Sequence, residues 1–226
     1  MIARELLATA QVPGGEELRL YQHDRDFMIV LDRNELMSSR MSGSEVALAS
    51  LTCDRLNPAK PPAKPPHLLI GGYGMGFTLR AALERLGGDA RVTVAELVPE
   101  IIAWARGPMA DLAARCLDDP RVELVMADVA SVIIGTAHRY DAILLDVDNG
   151  PDGLVREDNN QLYTLSGLKA AKHALKLGGL LAIWSAAPDP RFAARMAKAG
   201  FSVEEVRVSA RSNGKGAKHV IWFGRV

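Results

Sequence analysis

The chain has 226 residues, a length that suits one α/β domain with a small addition. Its 27 basic and 27 acidic side chains cancel, so the whole protein lacks the field that would attract nucleic acid or an anionic membrane. Hydrophobic residues make up 48% of the chain, which is enough for a buried core and excludes a protein that is disordered throughout. We therefore expect a globular protein that binds neither nucleic acid nor a membrane.

Charged residues and cysteines indicate the cellular location. Arg4 and Glu5 stand where a secretory signal would need an apolar run. Cys53 and Cys116 lie far apart in sequence and without partners at metal-ligand spacing, so we expect two buried, reduced thiols and no metal site. These features predict a cytoplasmic protein.

A proline-rich segment divides the chain, because five prolines fall within residues 58–66 and such a run is extended rather than helical. In the part before it, two apolar runs around a polar turn predict a small β-hairpin over residues 18–31, and a helix is expected from residue 45 to about residue 56. The predicted domains are a small N-terminal hairpin and helix (1–57), a proline-rich linker (58–67) and a main domain (68–226).

The main domain alternates strands with helices. We expect one helix over residues 100–114, with Pro99 at its start, and another over 162–177 that ends at Gly178 and Gly179. The last two strands are joined by a polar loop, which predicts a hairpin. The pattern predicts an α/β fold: a Rossmann-like, doubly wound, mostly parallel sheet with an antiparallel last strand. Strands are expected at residues 68–70, 91–95, 122–126, 142–145, 180–184, 202–208 and 219–223.

Residues suited to ligand binding follow the strands, at the edge where open parallel sheets bind their ligands. The first strand leads into a GGYGMG turn, in which Gly72, Gly74 and Gly76 would let backbone N–H groups approach a ligand. Glu96 follows the second strand, where a carboxylate can bind the hydroxyls of a ribose. Asp128 follows the third strand, where it could accept a hydrogen bond from an adenine amino group.

Taken singly, each of these residues also suits a structural role, because tight turns need glycine and carboxylates often cap helices. Taken together, acids after three strands and glycines after another favour a nucleoside site. The sequence does not match the dinucleotide-binding fingerprint GxGxxG, because Phe77 stands where the third glycine would be. The GxGxG spacing, the acid after the third strand and the antiparallel last strand favour S-adenosylmethionine over a nicotinamide cofactor.

The stretches HLLIGGYGMGFTLRAAL, VTVAELVPEIIAWAR, YDAILLDVDNGPDGL and LKLGGLLAIWS resemble the spermidine synthase family, which shares the class I methyltransferase fold. The resemblance covers about residues 68–185. Asp146 and Asp148 are the candidate catalytic acids, and Asn149 and Tyr163 the candidate substrate-binding residues. The cofactor-binding residues implied by the resemblance, with the neighbours of the two acids, are Gly72, Gly74, Gly76, Glu96, Leu97, Asp128 and Val129.

The resemblance implies a transferase of polyamine biosynthesis that uses S-adenosylmethionine or decarboxylated S-adenosylmethionine and transfers an aminopropyl group to a small amine. Asp146 would orient the amine and accept its proton, and Asp148 would add negative potential. The synthase loop resembles GGGDGG, with an aspartate that binds the amine of the decarboxylated cofactor where this chain has Gly74. A methyltransferase of unknown acceptor stays open as an alternative, as does a non-catalytic nucleoside-binding or interaction protein of the same fold. A homodimer is also left open.

Overall fold

The computed structural model describes residues 4–56, 64–147 and 160–226. Within these ranges the chain forms a four-stranded antiparallel sheet and a seven-stranded, mostly parallel sheet with helices on its faces. The elements are β1 (Glu5–Gln11), β2 (Glu17–His23), β3 (Asp26–Leu31), β4 (Asn34–Ser38), α1 (Gly43–Leu56), β5 (His67–Gly71), α2 (Phe77–Arg85), β6 (Arg91–Glu96), α3 (Pro99–Arg106), β7 (Val122–Met126), α4 (Val129–Ile134), β8 (Tyr140–Leu145), α5 (Asn160–Tyr163), α6 (Leu165–Ala174), β9 (Leu175–Ser185), α7 (Pro190–Lys198), β10 (Ser202–Ser209) and β11 (Lys218–Arg225).

The large sheet has the strand order β10-β11-β9-β8-β5-β6-β7. Strand β5 pairs in parallel with β6 on one side and with β8 on the other. The chain therefore reverses its direction of winding at β5, and the carboxyl end of that strand is the point where such sheets bind ligands. Strand β11 runs antiparallel to both β9 and β10. This topology confirms the predicted Rossmann-like sheet with an antiparallel end.

Alternating side chains of the strands build two core layers, one on each face of the large sheet. In β5, Leu68 and Ile70 pack with residues of α1, α2 and α3, whereas Leu69 packs on the opposite face with residues of α4, α6 and α7. All three side chains are almost completely buried. Strands buried on both faces explain why these segments are continuous apolar runs in the sequence.

The small sheet is a meander of β1 to β4, and the predicted hairpin is its central pair, β2 and β3. Its apolar face, which includes Leu20 and Ile29, joins the same core layer as Leu68 and Ile70. Strands β1 and β4 were not expected, because their sequences ELLATAQ and NELMS mix alanine and polar residues with few β-branched ones. The N-terminal part thus has four strands where the sequence indicated two.

Two helix predictions were wrong at their carboxyl ends. Helix α3 ends at Arg106, because Pro108 cannot donate the next backbone hydrogen bond and disfavours helical backbone at Gly107. Helix α6 ends at Ala174, and β9 begins at the next residue. Gly178, with φ of +76°, therefore lies inside a strand, where the pairing of β9 with β8 shifts register.

Helix α1 packs against α2 and the large sheet. Part of the proline-rich segment, residues 57–63, lies outside the described residues, and the domain boundaries stay a prediction.

Cys53 and Cys116 are buried and form no disulfide, as predicted. In the described parts of the chain, no helix is long and apolar enough to cross a membrane.

Leu181 and Leu177 offer a matched test of the core, since both are leucines of β9. Leu181 is fully buried, whereas Leu177 is 94% exposed. Leu181→Ala should lower the free energy of unfolding by about 2–5 kcal/mol, because it removes buried methyl groups and leaves a cavity. Leu177→Ala should change it by less than about 0.5 kcal/mol. Urea denaturation followed by circular dichroism measures both, and equal effects would contradict the described packing.

Candidate active site

A cavity lies between the small sheet and the residues that follow β5, β6, β7 and β8. The small sheet contributes apolar side chains to its wall: Val12 next to β1, Leu18, Ile29, Leu36 and Met37. The predicted site residues that the structure brings together around this cavity are Gly72, Gly74, Glu96, Leu97, Asp128, Val129 and Asp146.

Two glycines allow close approaches at this cavity. A Cβ at Gly72 would lie 2.7 Å from the carbonyl oxygen of Asp146, so a side chain there would push the ends of β5 and β8 apart. A Cβ at Gly74 would lie 2.8 Å from Sδ of Met37, so the small sheet packs directly on the glycine turn. Both residues also have positive φ angles, +84° and +55°, which L side chains rarely adopt.

Gly76 has a different position from the other two glycines. It precedes the first residue of α2 with φ of +80°, and a Cβ there would meet the Tyr73 hydroxyl at 2.6 Å and Ala113 at 2.7 Å. It is not among the residues that line the cavity. The structure therefore gives Gly76 a role in the turn itself.

Glu96 is buried and is held by three backbone N–H groups. Its Oε2 accepts a hydrogen bond from Tyr73 at 2.9 Å, and its Oε1 accepts from Leu97 and Val98, both at 2.8 Å. The side chain thus ties the glycine turn to the end of β6. A carboxylate has about four lone-pair positions, so one remains for a further donor such as a ribose hydroxyl.

Asp128 caps helix α4, since its Oδ1 accepts a hydrogen bond from the N–H of Ala130 at 2.7 Å. The sequence had left open whether Asp128 caps a helix or binds a ligand. The same residue lines the cavity, with Val129 beside it. The cap fixes the orientation of the carboxylate and is compatible with a second hydrogen bond to a ligand.

Asp146 follows β8 directly and lines the cavity. Its Oδ2 accepts a hydrogen bond at 2.7 Å from the hydroxyl of Thr78, which lies in the first turn of α2. Burial away from solvent raises the pKa of Asp146 to about 6. A carboxylate with this pKa is ionised at neutral pH and is a stronger base than an exposed aspartate.

Glu45 is a second acid near Asp146 that the sequence did not single out, and it is not among the residues that line the cavity. It lies in the first turn of α1. Burial, and then the negative charge of Asp146, raise the pKa of Glu45 to about 8. An acid in the first turn of a helix is common because it interacts favourably with the helix dipole, so nothing in the local sequence distinguished Glu45 from an ordinary helix start.

The remaining predicted residues lie elsewhere or outside the described residues. Tyr163 is buried and is not among the residues that line the cavity; its hydroxyl donates to the carbonyl of Val147 at 3.3 Å and its ring packs edge-on against Phe192. Asp148 and Asn149 lie outside the described residues. Among the residues that the structure describes, no group of three His, Cys, Asp or Glu side chains is placed to hold a metal ion.

The two acids make stability depend on pH. In the unfolded chain their pKa values are the ordinary 3.8 and 4.5, so from about pH 4 to about pH 8 the folded state binds more protons than the unfolded state. The contribution of the pair to the free energy of unfolding therefore falls as the pH rises through this range.

Glu45→Gln removes one of the two titrating groups. Between about pH 5 and about pH 8 the variant should lose less stability than the unmodified protein, because groups elsewhere titrate equally in both. Urea denaturation at several pH values measures the difference. Parallel pH profiles for the two proteins would contradict this account.

The chain matches a family model described as the spermine/spermidine synthase domain over residues 59–191. A polyamine aminopropyltransferase of Mycobacterium tuberculosis is 34% identical over 124 residues, which are 54% of this chain and 23% of the relative. One from Streptomyces coelicolor is 31% identical over 159 residues, 66% of this chain and 29% of the relative. The matched part is thus less than a third of each of these relatives.

Solved structures show the same fold. A spermidine synthase from Thermotoga maritima superposes with a TM-score of 0.75 at 20% identity, over 97% of this chain and 72% of that one. A spermidine synthase in complex with the transition state analogue AdoDATO gives 0.74 at 20% identity, over the same shares of the two chains. At these identities the likeness establishes the fold, including both the large sheet and the small one.

Proposed function

The chain belongs to the spermine/spermidine synthase family, and from this we propose that it is a transferase that moves the aminopropyl group of decarboxylated S-adenosylmethionine to a small amine. The observation that carries the proposal is the acidic cavity at the switch point of the sheet. Glu96, Asp128 and Asp146 lie around it, at the carboxyl ends of three successive strands of the domain. Glu96 would bind the ribose, Asp128 the adenine and Asp146 the amine.

The charge of the cavity bears on the choice of donor. Of the described residues that line it, three are acidic and none is basic. S-adenosylmethionine carries a carboxylate, which would enter this lining without a cationic partner. The decarboxylated donor carries only an ammonium and a sulfonium group, and both complement a negative wall. The lining therefore supports the decarboxylated form.

The reaction needs positioning and one proton acceptor. The amine nitrogen attacks the carbon next to the sulfonium, a C–N bond forms, the C–S bond breaks, and the sulfur leaves as a neutral thioether. Holding the two reactants in line can contribute about 7–11 kcal/mol to lowering the barrier. Asp146 would orient the amine and accept the proton that it must lose.

Methyl transfer from S-adenosylmethionine is the second candidate, and Gly74 is the observation that favours it. The synthase loop carries an amine-binding aspartate at this position, whereas here the space beside Gly74 is occupied by the thioether of Met37. The two candidates differ in their donor, which makes them separable by binding alone.

Calorimetry with both donors tests the choice. We expect the decarboxylated donor to bind at least about tenfold more tightly than S-adenosylmethionine, because only the latter places an unpaired carboxylate in the acidic cavity. The reference ligand is 5′-deoxy-5′-methylthioadenosine. It is the uncharged thioether part that the two donors have in common and lacks their charged groups. Tight binding of the carboxylated donor alone would exclude aminopropyl transfer.

Asp146→Asn tests the reacting centre. The variant should lose about 10²–10⁴-fold in turnover, since it cannot accept the proton, while donor affinity stays within about threefold. Transfer of label from the donor to a panel of small amines measures turnover. Asp111→Asn, at an exposed position, is the control and should behave as the unmodified protein. Retained turnover in Asp146→Asn would remove this residue from the centre, and donor binding without transfer to any amine would favour a non-catalytic protein.

A further inference from the structure

Strand β4 has a β-bulge where it borders the cavity. The partners of two consecutive residues of β3 are Met37 and Glu35, so Leu36 between them is an extra residue without a partner. Successive side chains of a regular strand point to opposite faces of the sheet, and a bulge re-aims one of them. Leu36 and Met37 are consecutive, yet both line the cavity. The bulge therefore adds a second side chain to the wall that this strand contributes.

The bulge lies at the end of the cavity where the proposed reaction takes place. Met37 packs on the glycine turn, since its Sδ lies 2.8 Å from where a Cβ of Gly74 would be. In the same turn, a Cβ of Gly72 would lie 2.7 Å from the carbonyl oxygen of Asp146. At the other edge of the small sheet, β1 contacts α3, the helix that follows Glu96. Strand β4 thus covers the turn beside Asp146, and β1 lies towards the nucleoside side.

The wall that the small sheet forms is apolar. Among the described residues, those that it contributes to the lining of the cavity are Val12, Leu18, Ile29, Leu36 and Met37. The carboxylates of the described lining all belong to the wall that the large sheet forms. Leu36 and Met37 are only partly buried, so a ligand can cover apolar surface on both. These two side chains offer a hydrocarbon a contact and offer a charged group no partner.

We propose that the acceptor is a primary amine with an apolar hydrocarbon chain, and that Leu36 and Met37 select it by packing on that chain. Its single ammonium group binds at Asp146, and the chain extends towards the bulge. A diamine would place its second ammonium group against apolar side chains, where it loses hydration and gains no partner. The transfer step is unchanged: the C–N bond forms, the C–S bond breaks and Asp146 accepts the proton. The proposal rests on the proposed function.

Two amines of the same shape test this preference by equilibrium binding to the full chain. Pentan-1-amine and 1,4-diaminobutane have the same length and differ at one end, which is a methyl group in the first and an ammonium group in the second. Each is titrated by calorimetry into protein saturated with 5′-deoxy-5′-methylthioadenosine. Pentan-1-amine should bind at least about tenfold more tightly, because its far end can be buried without the loss of a charge's hydration.

Leu36→Glu should reverse the preference. A carboxylate in the bulge can pair with the second ammonium group, so the affinity for 1,4-diaminobutane should rise about tenfold while that for pentan-1-amine falls. The readout is the ratio of the two affinities, because a general loss of packing would weaken the binding of both amines alike. Leu36→Met keeps an apolar side chain of similar volume and should preserve the ratio within about threefold.

Leu6→Glu is the matched control. Leu6 lies in β1 of the same small sheet, is 50% exposed and is not among the residues that line the cavity. The same substitution there should leave both amine affinities unchanged. Thermal unfolding verifies that each variant is folded. If Leu36→Glu does not fold, the comparison of the two amines in the unmodified protein decides.

Three results would overturn the proposal: equal or tighter binding of 1,4-diaminobutane by the unmodified protein, no binding of either amine, or an unchanged affinity ratio in folded Leu36→Glu. Failure of the proposed function gives a different result. A protein that prefers pentan-1-amine but transfers no aminopropyl group to it would contradict aminopropyl transfer and leave the binding preference standing. A protein that transfers aminopropyl groups with a higher kcat/KM for 1,4-diaminobutane than for pentan-1-amine would contradict the role of the bulge alone.

Discussion

The site depends on one buried carboxylate, that of Glu96. By accepting hydrogen bonds from Tyr73, Leu97 and Val98, it fixes the glycine turn against the end of β6. The turn in turn presents Gly74 to Met37 of the small sheet and brings Gly72 against the backbone of Asp146. Loss of this carboxylate would leave three N–H groups without acceptors and release the turn on which both walls of the cavity are built.

Charge is distributed unevenly in a protein whose formal net charge is zero. The described residues around the cavity include acids and no bases, while basic side chains such as Arg55 and Arg121 form ion pairs elsewhere on the molecule. A neutral protein can thus present a strongly negative site to a small cation. The electrostatic selectivity that we propose is local, because the three carboxylates lie around one cavity.

Most of the fold could be predicted because the central strands β5, β6 and β8 are buried on both faces and therefore form apolar runs that end in glycine or an acid. Strands β1 and β4 were missed since they are partly exposed and carry few β-branched residues. The end of α6 was misplaced because Gly178 and Gly179 look like a helix stop, while a positive φ is needed inside β9.

The wall of the cavity that the large sheet forms could be predicted from the sequence, whereas the wall that the small sheet forms could not. Residues that follow parallel strands meet at one edge whatever the details of packing, so Glu96, Asp128 and Asp146 were accessible to pattern alone. Met37 reaches the cavity through the packing of the small sheet, and Glu45 comes near Asp146 through the packing of α1. No local sequence pattern encodes either arrangement. Glu45 and Asp146 are 101 positions apart in the chain, and their proximity is a property of the folded state.

The shared core of the two sheets has a consequence for ligand affinity. Because Leu20 and Ile29 are buried together with Leu68 and Ile70, swinging the small sheet away would expose apolar surface of the main core. The wall of the cavity that the small sheet forms is therefore preorganised, so a ligand loses little affinity to the ordering of this wall. The protein should accordingly discriminate among acceptors by the fixed shape and charge of the cavity. Closure of the four-stranded sheet should contribute nothing to this selectivity.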